Sequence, residues 1–311
     1  MNFYKYAFKK ILFALLGIFL ITLFFYVLLS QFIINDKFNS EPLSKHFFAF
    51  LGSIFSNFGQ VYNSSSFNNA LEYFGYYFKY SLLFESITFI LSIIFGYLLG
   101  ILLAYKNGKI SDAIISLLIF VFASIPVFVL APLMIILAEY TDLPVNFVPI
   151  DSLNAGYMLL SLVLPISIIL IVTVSFFAIV AKNAMLNILS KDYIKVLKTM
   201  GLSNKKIFLI GVFKNLIIET INRMLAVLVF IISLGIVMER IFQIPGQSLI
   251  LTSAFTNGEI NVLMCLVFYK AFVIFLFSTI TEIIYDVLSV ENNFNYHIKF
   301  RRPAKVVKGE I

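Results

Sequence analysis

"KDYIKVLKTMGLSNKKIFLIGVFKNLI", residues 191–217, lies between two long apolar runs and is richer in lysine than any other part of the chain's interior. Its pattern predicts a short amphipathic helix, a glycine joint and a second helix that leads into the next apolar run. Ser190 is placed to cap the first helix, Asp192 falls in its first turn where negative charge suits the helix dipole, and Gly201 is placed to end it in a left-handed cap. These limits give a helix of about three turns over residues 191–200. Ile194, Leu197 and Gly201 share one face at i, i+3 and i+7, while Lys191, Lys195 and Lys198 share another at i, i+4 and i+7. Ser203 is placed to cap the second helix, whose Lys205, Lys206 and Lys214 precede the return to apolar sequence. A basic amphipathic helix too short to span can lie on anionic lipid, or insert its small apolar face into a partner's groove. On the residues alone both uses stay open.

The chain around this segment has 311 residues, 61% hydrophobic and 13% charged, with mean hydropathy +0.98. Soluble domains are nearer half apolar and about a quarter charged, so the composition specifies an all-α integral membrane protein. Runs of about 20 apolar residues, enough to cross roughly 30 Å of hydrocarbon, fall near residues 10–30, 82–105, 112–138, 157–181, 220–240 and 262–288. Arg223 and Lys270 interrupt the last two.

With the N-terminus inside, segments 1–10, 105–111, 182–219 and 289–311 hold 17 of the 23 Lys and Arg residues, whereas the outer segments hold only Lys37, Lys45 and Lys79. This bias predicts a multi-pass protein of the cell membrane with both termini cytoplasmic. The net charge of +7 is then a topology signal and an attraction to anionic membrane lipid, not a nucleic-acid footprint. No small-x-small cleavage pattern follows Ser30, so the first helix is expected to stay as an anchor. The single cysteine, Cys265, can build neither a disulfide nor a thiolate metal site. Three units are expected: residues 1–81 as first helix and outer segment, 82–290 as a core of five further spans, and 291–311 as a basic cytoplasmic tail.

Local signals refine this frame. "YKNGKISD", residues 105–112, predicts a tight turn with Ser111 as helix cap, making the second and third spans antiparallel neighbours. Pro126 and Pro132 interrupt the third span, either as a packing kink or as part of a moving gate. Pro245 and Gly246 are expected as the centre of an outer type II turn. "NSS" at Asn63 formally matches an N-glycosylation acceptor. Lys270, about 12 Å along the last span, is costly if bare in lipid and is expected either in a structural ion pair, with Glu239 as the candidate partner, or as a pathway charge. Glu282 and Asp286 share a face at i and i+4, where packing against the basic loop is favoured over acid–base work.

Residues 192–217 resemble the cytoplasmic loop of binding-protein-dependent ABC importer permeases, and most closely the peptide and nickel branch of that family. There the loop begins Asp-Tyr-Ile and runs through a basic stretch to Gly-Leu-Ser, matched by Asp192, Tyr193, Ile194, Gly201, Leu202 and Ser203. Lys195, Val196 and Leu197 stand where the general signature has Glu-Ala-Ala. Further blocks are similar in order and spacing, among them "SIPVF" at 124–128 and "ERIFQIPGQSLI" at 239–250.

The resemblance implies a type I ABC importer permease fold: six transmembrane helices with a cytoplasmic coupling helix. It also implies the B-type subunit of an oligopeptide importer, paired with a second homologous permease, two cytoplasmic ATPases and an external substrate-binding lipoprotein. Asp192, Tyr193, Ile194, Leu197, Gly201 and Leu202 are then the expected ATPase-coupling residues, and Pro126, Glu239 and Lys270 the gate or pathway candidates. No cofactor, metal or catalytic residue is expected in this chain. It carries no Gly-x-x-x-x-Gly-Lys-Ser/Thr phosphate loop, so ATP would be used by the partner subunits. Dipeptides, nickel chelates and other small solutes stay open as substrates, as do an intramembrane lipid-processing enzyme and a scaffold or channel as rival classes.

Overall fold

A computed structural model describes residues 3–33, 43–62, 66–150 and 154–289. Asn63, the basic tail 291–311 and His297 lie outside the described residues. Twelve α-helices and one π-helical turn account for the regular structure of the described residues: α1 Phe3–Phe32, α2 Leu43–Ser53, α3 Ala70–Tyr105, α4 Ile110–Ser124, α5 Val127–Ala138, α6 Ala155–Ser161, α7 Val163–Leu189, α8 Asp192–Thr199, α9 Asn204–Ile207, the π turn Phe208–Val212, α10 Phe213–Ile241, α11 Gln247–Thr256 and α12 Ile260–Leu288.

Among the described residues, five helical segments are long and apolar enough to cross a membrane: α1, α3, α7, Asn204–Ile241 and α12. The sixth expected span is broken. α4 and α5 meet at an angle of 101° around Ile125-Pro126, so the pair is either one bent span or a re-entrant loop. Pro126 takes φ −60° and ψ 134° and stands at the N-cap of α5, interrupting the helical course as a residue without a backbone N–H does. Pro132 is accommodated inside α5.

α3 is the longest element, 36 residues and therefore about 54 Å, well over the hydrocarbon thickness. It begins twelve residues before the expected span because of a reciprocal cap. Asn69 Oδ1 accepts from the Glu72 N–H at 2.9 Å, and Glu72 Oε2 accepts from the Asn68 N–H at 3.1 Å. The added turns carry Tyr73, Phe74 and Phe78, which pack with Phe50 and Phe58 and with Met264 and Leu266 of α12. Residue 81, the expected end of the first unit, falls inside this helix.

α3 and α7 form the central pair of the bundle, with α10 laid on both and α12 behind it; α1 packs on α12. Hydrophobic driving force is small between helices in lipid, so close backbone approach and interhelical hydrogen bonds set this packing. A Cβ on Gly96 would meet Phe177 Cδ1 at 2.7 Å, and one on Gly100 would lie 2.6 Å from Ala181 Cβ and 2.7 Å from the Ala178 carbonyl oxygen. Buried hydroxyls add Ser92–Thr173 at 2.7 Å and, between α3 and α10, Tyr97–Thr220 at 2.5 Å. Replacing Gly100 with valine is expected to push α3 off α7 and cost about 1–3 kcal/mol, read as a lower melting temperature in detergent.

Several local expectations are corrected. Ser190 ends α7 and Lys191 stands at the α8 N-cap; the Ser190 hydroxyl donates back to the Asn187 carbonyl at 2.7 Å. Ser111 lies within α4, which starts from Lys109. Ser203 does occupy an N-cap, without a side-chain cap bond. Glu282 pairs with Lys10 of α1 instead of packing on the basic loop, joining the first and last helices near one end.

Candidate functional site: an exposed amphipathic helix and a buried charge cluster

The first candidate site is built on α8, at the end of the bundle that also carries Lys191, Lys195, Lys198, Lys205 and Lys206, here termed the basic end. α8 is eight residues long, about two turns rather than three, because Lys191 is still extended and Met200 closes the last turn. Gly201 then takes φ +74°, the left-handed conformation that glycine adopts without strain. A Cβ there would meet nothing within 4 Å, so Gly201 serves the turn and not a close approach.

The apolar face of α8 is the one the spacing predicts, but its own chain covers it. Ile194 is fully buried among Met185, Ile188, Ile207, Val212 and Leu216, with Leu197 and Leu202 half-buried beside it. Ile194 and Leu197 therefore hold α8 to the transmembrane helices, Ile194 with no surface left exposed. The close approach occurs at Gly211 in the π turn, where a Cβ would meet Leu197 Cδ1 at 2.8 Å and Ile194 Cδ1 at 3.0 Å. Outward from α8 project Val196, 56% exposed, and Met200, 68% exposed, flanked by Lys191, Lys195 and Lys198. Asp192 is exposed in the first turn and pairs with Lys195 at 2.8 Å. Tyr193 is partly exposed along its ring, while its hydroxyl points inward to donate to the Gly211 carbonyl at 3.1 Å.

The second site lies toward the opposite end, where α3, α10, α11 and α12 converge. Lys270 is paired with Glu85, not with Glu239: its Nζ donates to both Glu85 oxygens at 2.9 and 3.0 Å, and sits 5.0 Å from the Phe78 ring centroid. Gln247 Nε2 donates to Glu85 Oε1 at 2.6 Å, and the Gln247 N–H donates to Ser81 Oγ at 2.7 Å. Glu239, fully buried, accepts the Ser248 N–H at 2.8 Å. These bonds fasten the first turn of α11 to α3 and α10.

Pro245-Gly246 does lead into this cluster, but not as a type II turn. Gly246 has φ −121° and its N–H donates to the Ile244 carbonyl at 2.8 Å, a three-residue turn. A glycine is required because a Cβ would overlap Ser81 Oγ and come within 2.7 Å of the Glu239 carboxyl carbon. Gly246→Ala is accordingly expected to cost about 1–3 kcal/mol, read as lower thermal stability in detergent.

Pro126 is remote from this cluster in sequence and marks the α4–α5 bend. Near the basic end α4 is tied to α7 by Lys182, which donates to Asp112 Oδ1 at 2.6 Å. Among the described residues no group of three or more His, Cys, Asp and Glu side chains is arranged to hold a metal ion. Sequence reasoning missed Glu85, Gln247, Gly211 and Lys182; an acid inside the charge-poor second span was the available signal for the first of these.

The family model of binding-protein-dependent transport system inner membrane components matches residues 96–290. The chain belongs to that family. The matched part of this inner membrane component runs from within α3 to the end of α12 and takes in α8, Gly211, Glu239, Gln247 and Lys270, leaving α1, α2 and Glu85 outside.

Among curated relatives, an oligopeptide transport system permease protein OppB of Mycoplasma pneumoniae is 30% identical over 179 residues, 57% of this chain and 46% of that protein. The match therefore spans about half the length of that relative, and likewise 45% of its Mycoplasma genitalium counterpart. The OppB of Haemophilus influenzae is 25% identical over 253 residues, 80% of each chain. The metal-staphylopine import system permease protein CntB of Staphylococcus aureus is 25% identical over 257 residues, 82% of this chain and 80% of that one.

Proposed function

We propose that this chain is the B-type permease subunit of an ATP-driven oligopeptide importer, forming the translocation pathway with a second homologous permease. Two ATPases dock at the basic end, which is cytoplasmic along with both termini, and a substrate-binding lipoprotein delivers peptide at the opposite end. The observation that carries this reading is α8: a two-turn helix fixed by Ile194 to the transmembrane bundle while its Val196, Met200 and lysine face stays open. A helix so mounted can pass a partner's movement to α10 and shift the bundle between two states. The family and the names of the relatives support transport over the rival class of a lipid-processing enzyme.

ATP is bound and hydrolysed by the partner subunits, and no cofactor resides in this chain. Asp192, Tyr193, Val196 and Met200 form the docking face, Ile194, Leu197 and Leu202 mount it, and Gly201 supplies the turn behind it. Glu239 and Lys270 are assigned to the frame rather than to the pathway, since Glu239 accepts from the Ser248 N–H of α11 and Lys270 pairs with Glu85 of α3, which in turn accepts from Gln247 of α11. Pro126, at the 101° bend, is retained as the gate candidate.

Expression with the neighbouring transport subunits tests the reading. Two ATPase copies are expected to co-purify per permease pair, with ATP hydrolysis stimulated by peptide-loaded binding protein; no ATPase association would overturn it. A second substrate class is favoured by the metal-staphylopine permease, aligned over 82% of this chain. Stimulation by a metal chelate and not by peptides would select it.

A further inference from the structure

We propose that Asn215 is a positioning residue that locks the coupling helix onto α10 through the π turn. The inference rests on the coupling role of α8 proposed above and adds the part that makes the joint stiff.

The π turn Phe208–Val212 is a local widening of the helix that leads into α10, of a kind that recurs at functional sites. It presents the Gly211 carbonyl to two donors from different elements. Tyr193 of α8 donates its hydroxyl at 3.1 Å, and Asn215, one turn further along α10, donates Nδ2 at 3.0 Å. The same Asn215 Nδ2 donates to the Tyr193 hydroxyl oxygen at 2.8 Å, closing a three-membered network across the two helices. Gly211 also lacks the side chain that would hold α8 away, since a Cβ would meet both Leu197 and Ile194 within 3.0 Å.

Apolar burial of Ile194 alone would let α8 rock on its contact, because dispersion and burial are not directional. The hydrogen-bonded triangle adds direction. Tyr193 cannot swing without breaking its bonds to both Gly211 and Asn215, so α8 and the first turn of α10 move as one body. Asn215 is half-buried, off the exposed lysine face, and therefore acts on the joint without forming part of the docking surface.

The test compares Asn215→Leu, which keeps the size and removes the donor, with Asn215→His, which keeps a donor, in the full transport complex in proteoliposomes. ATPase co-purification is expected to be unchanged in both. Asn215→Leu is expected to lower peptide uptake per ATP hydrolysed at least tenfold, and Asn215→His to recover at least half of the loss. Uptake per ATP within twofold of the parent in Asn215→Leu, or equal losses in the two variants, would overturn the proposal.

A second measurement separates this proposal from the coupling role on which it rests. Spin labels on Lys195→Cys and Arg223→Cys, both exposed positions, report the spread of α8–α10 distances in the permease itself. A narrow distribution that widens in Asn215→Leu is expected. If no ATPase binds the parent protein, the coupling role fails while the lock is still judged here: equal widths overturn it, widening supports it.

Discussion

Lys270→Met is expected to destabilise the protein by about 3–5 kcal/mol, because it leaves Glu85 as a buried carboxylate without its counter-ion. Glu85 has a side chain only 7% exposed, and its remaining bonded partner is Gln247 Nε2 at 2.6 Å. A neutral amide donor does not replace an ammonium that reaches both carboxylate oxygens. The loss is expected to show as a lower melting temperature in detergent and as release of α11, whose first turn is pinned through Gln247. The double variant Glu85→Gln with Lys270→Met removes both charges together. It is expected to recover most of the stability and of the uptake, since replacing a buried pair is far milder than orphaning one partner. Recovery of uptake would exclude Lys270 as a pathway charge for peptide carboxylates. A single variant as stable as the parent would contradict the cluster's structural role.

The second large effect separates the two faces of α8. Ile194→Ala is expected to cost about 2–5 kcal/mol in cavity and lost burial, because the side chain is fully enclosed by α7, α9, the π turn and α10. Val196→Glu changes an exposed position and is expected to leave the melting temperature within the range of ordinary surface substitutions. Its effect falls on association: a carboxylate in an apolar patch desolvated by a partner is expected to weaken ATPase retention at least tenfold. An Ile194→Ala protein of parental stability, or a Val196→Glu complex of parental affinity, would each be inconsistent with the assignment of faces.

Much of this architecture is legible in the residues because lipid imposes a simple code. A run of about 20 apolar residues must be helical, and the positions of the spans follow. Gly201 is legible as well, since a glycine after a short amphipathic stretch implies the φ of +74° found there. What periodicity does not carry is the identity of the surface that covers a face. Ile194 and Leu197 are correctly paired by spacing, yet the cover is Gly211 and α10 of the same chain, brought there by the Gly201 turn.

The charge cluster is hidden for a related reason. Glu85 and Lys270 are separated by 185 positions, and nothing local in either span distinguishes one candidate partner from another. On charge alone Glu239 and Glu85 are equivalent; the register of α11 brings Gln247 to Glu85 and the Ser248 N–H to Glu239. The Pro126 break is visible as a proline, whereas its 101° angle, between two helices that both pack on α7, is not. The π turn leaves no mark in hydropathy at all.

The central claim is that the outward face of α8 meets the ATPases. The chain's single cysteine, Cys265, is buried, so an introduced cysteine can be addressed alone. Cysteines placed at Val196, at Met200 and, as a control at the opposite end, at exposed Phe255, allow short-range cross-linking in the assembled transporter. The expected result is a covalent adduct with an ATPase subunit from positions 196 and 200 and none from 255. An ATPase adduct from 255, or none from 196 and 200 in a complex that retains its ATPases, would contradict the account.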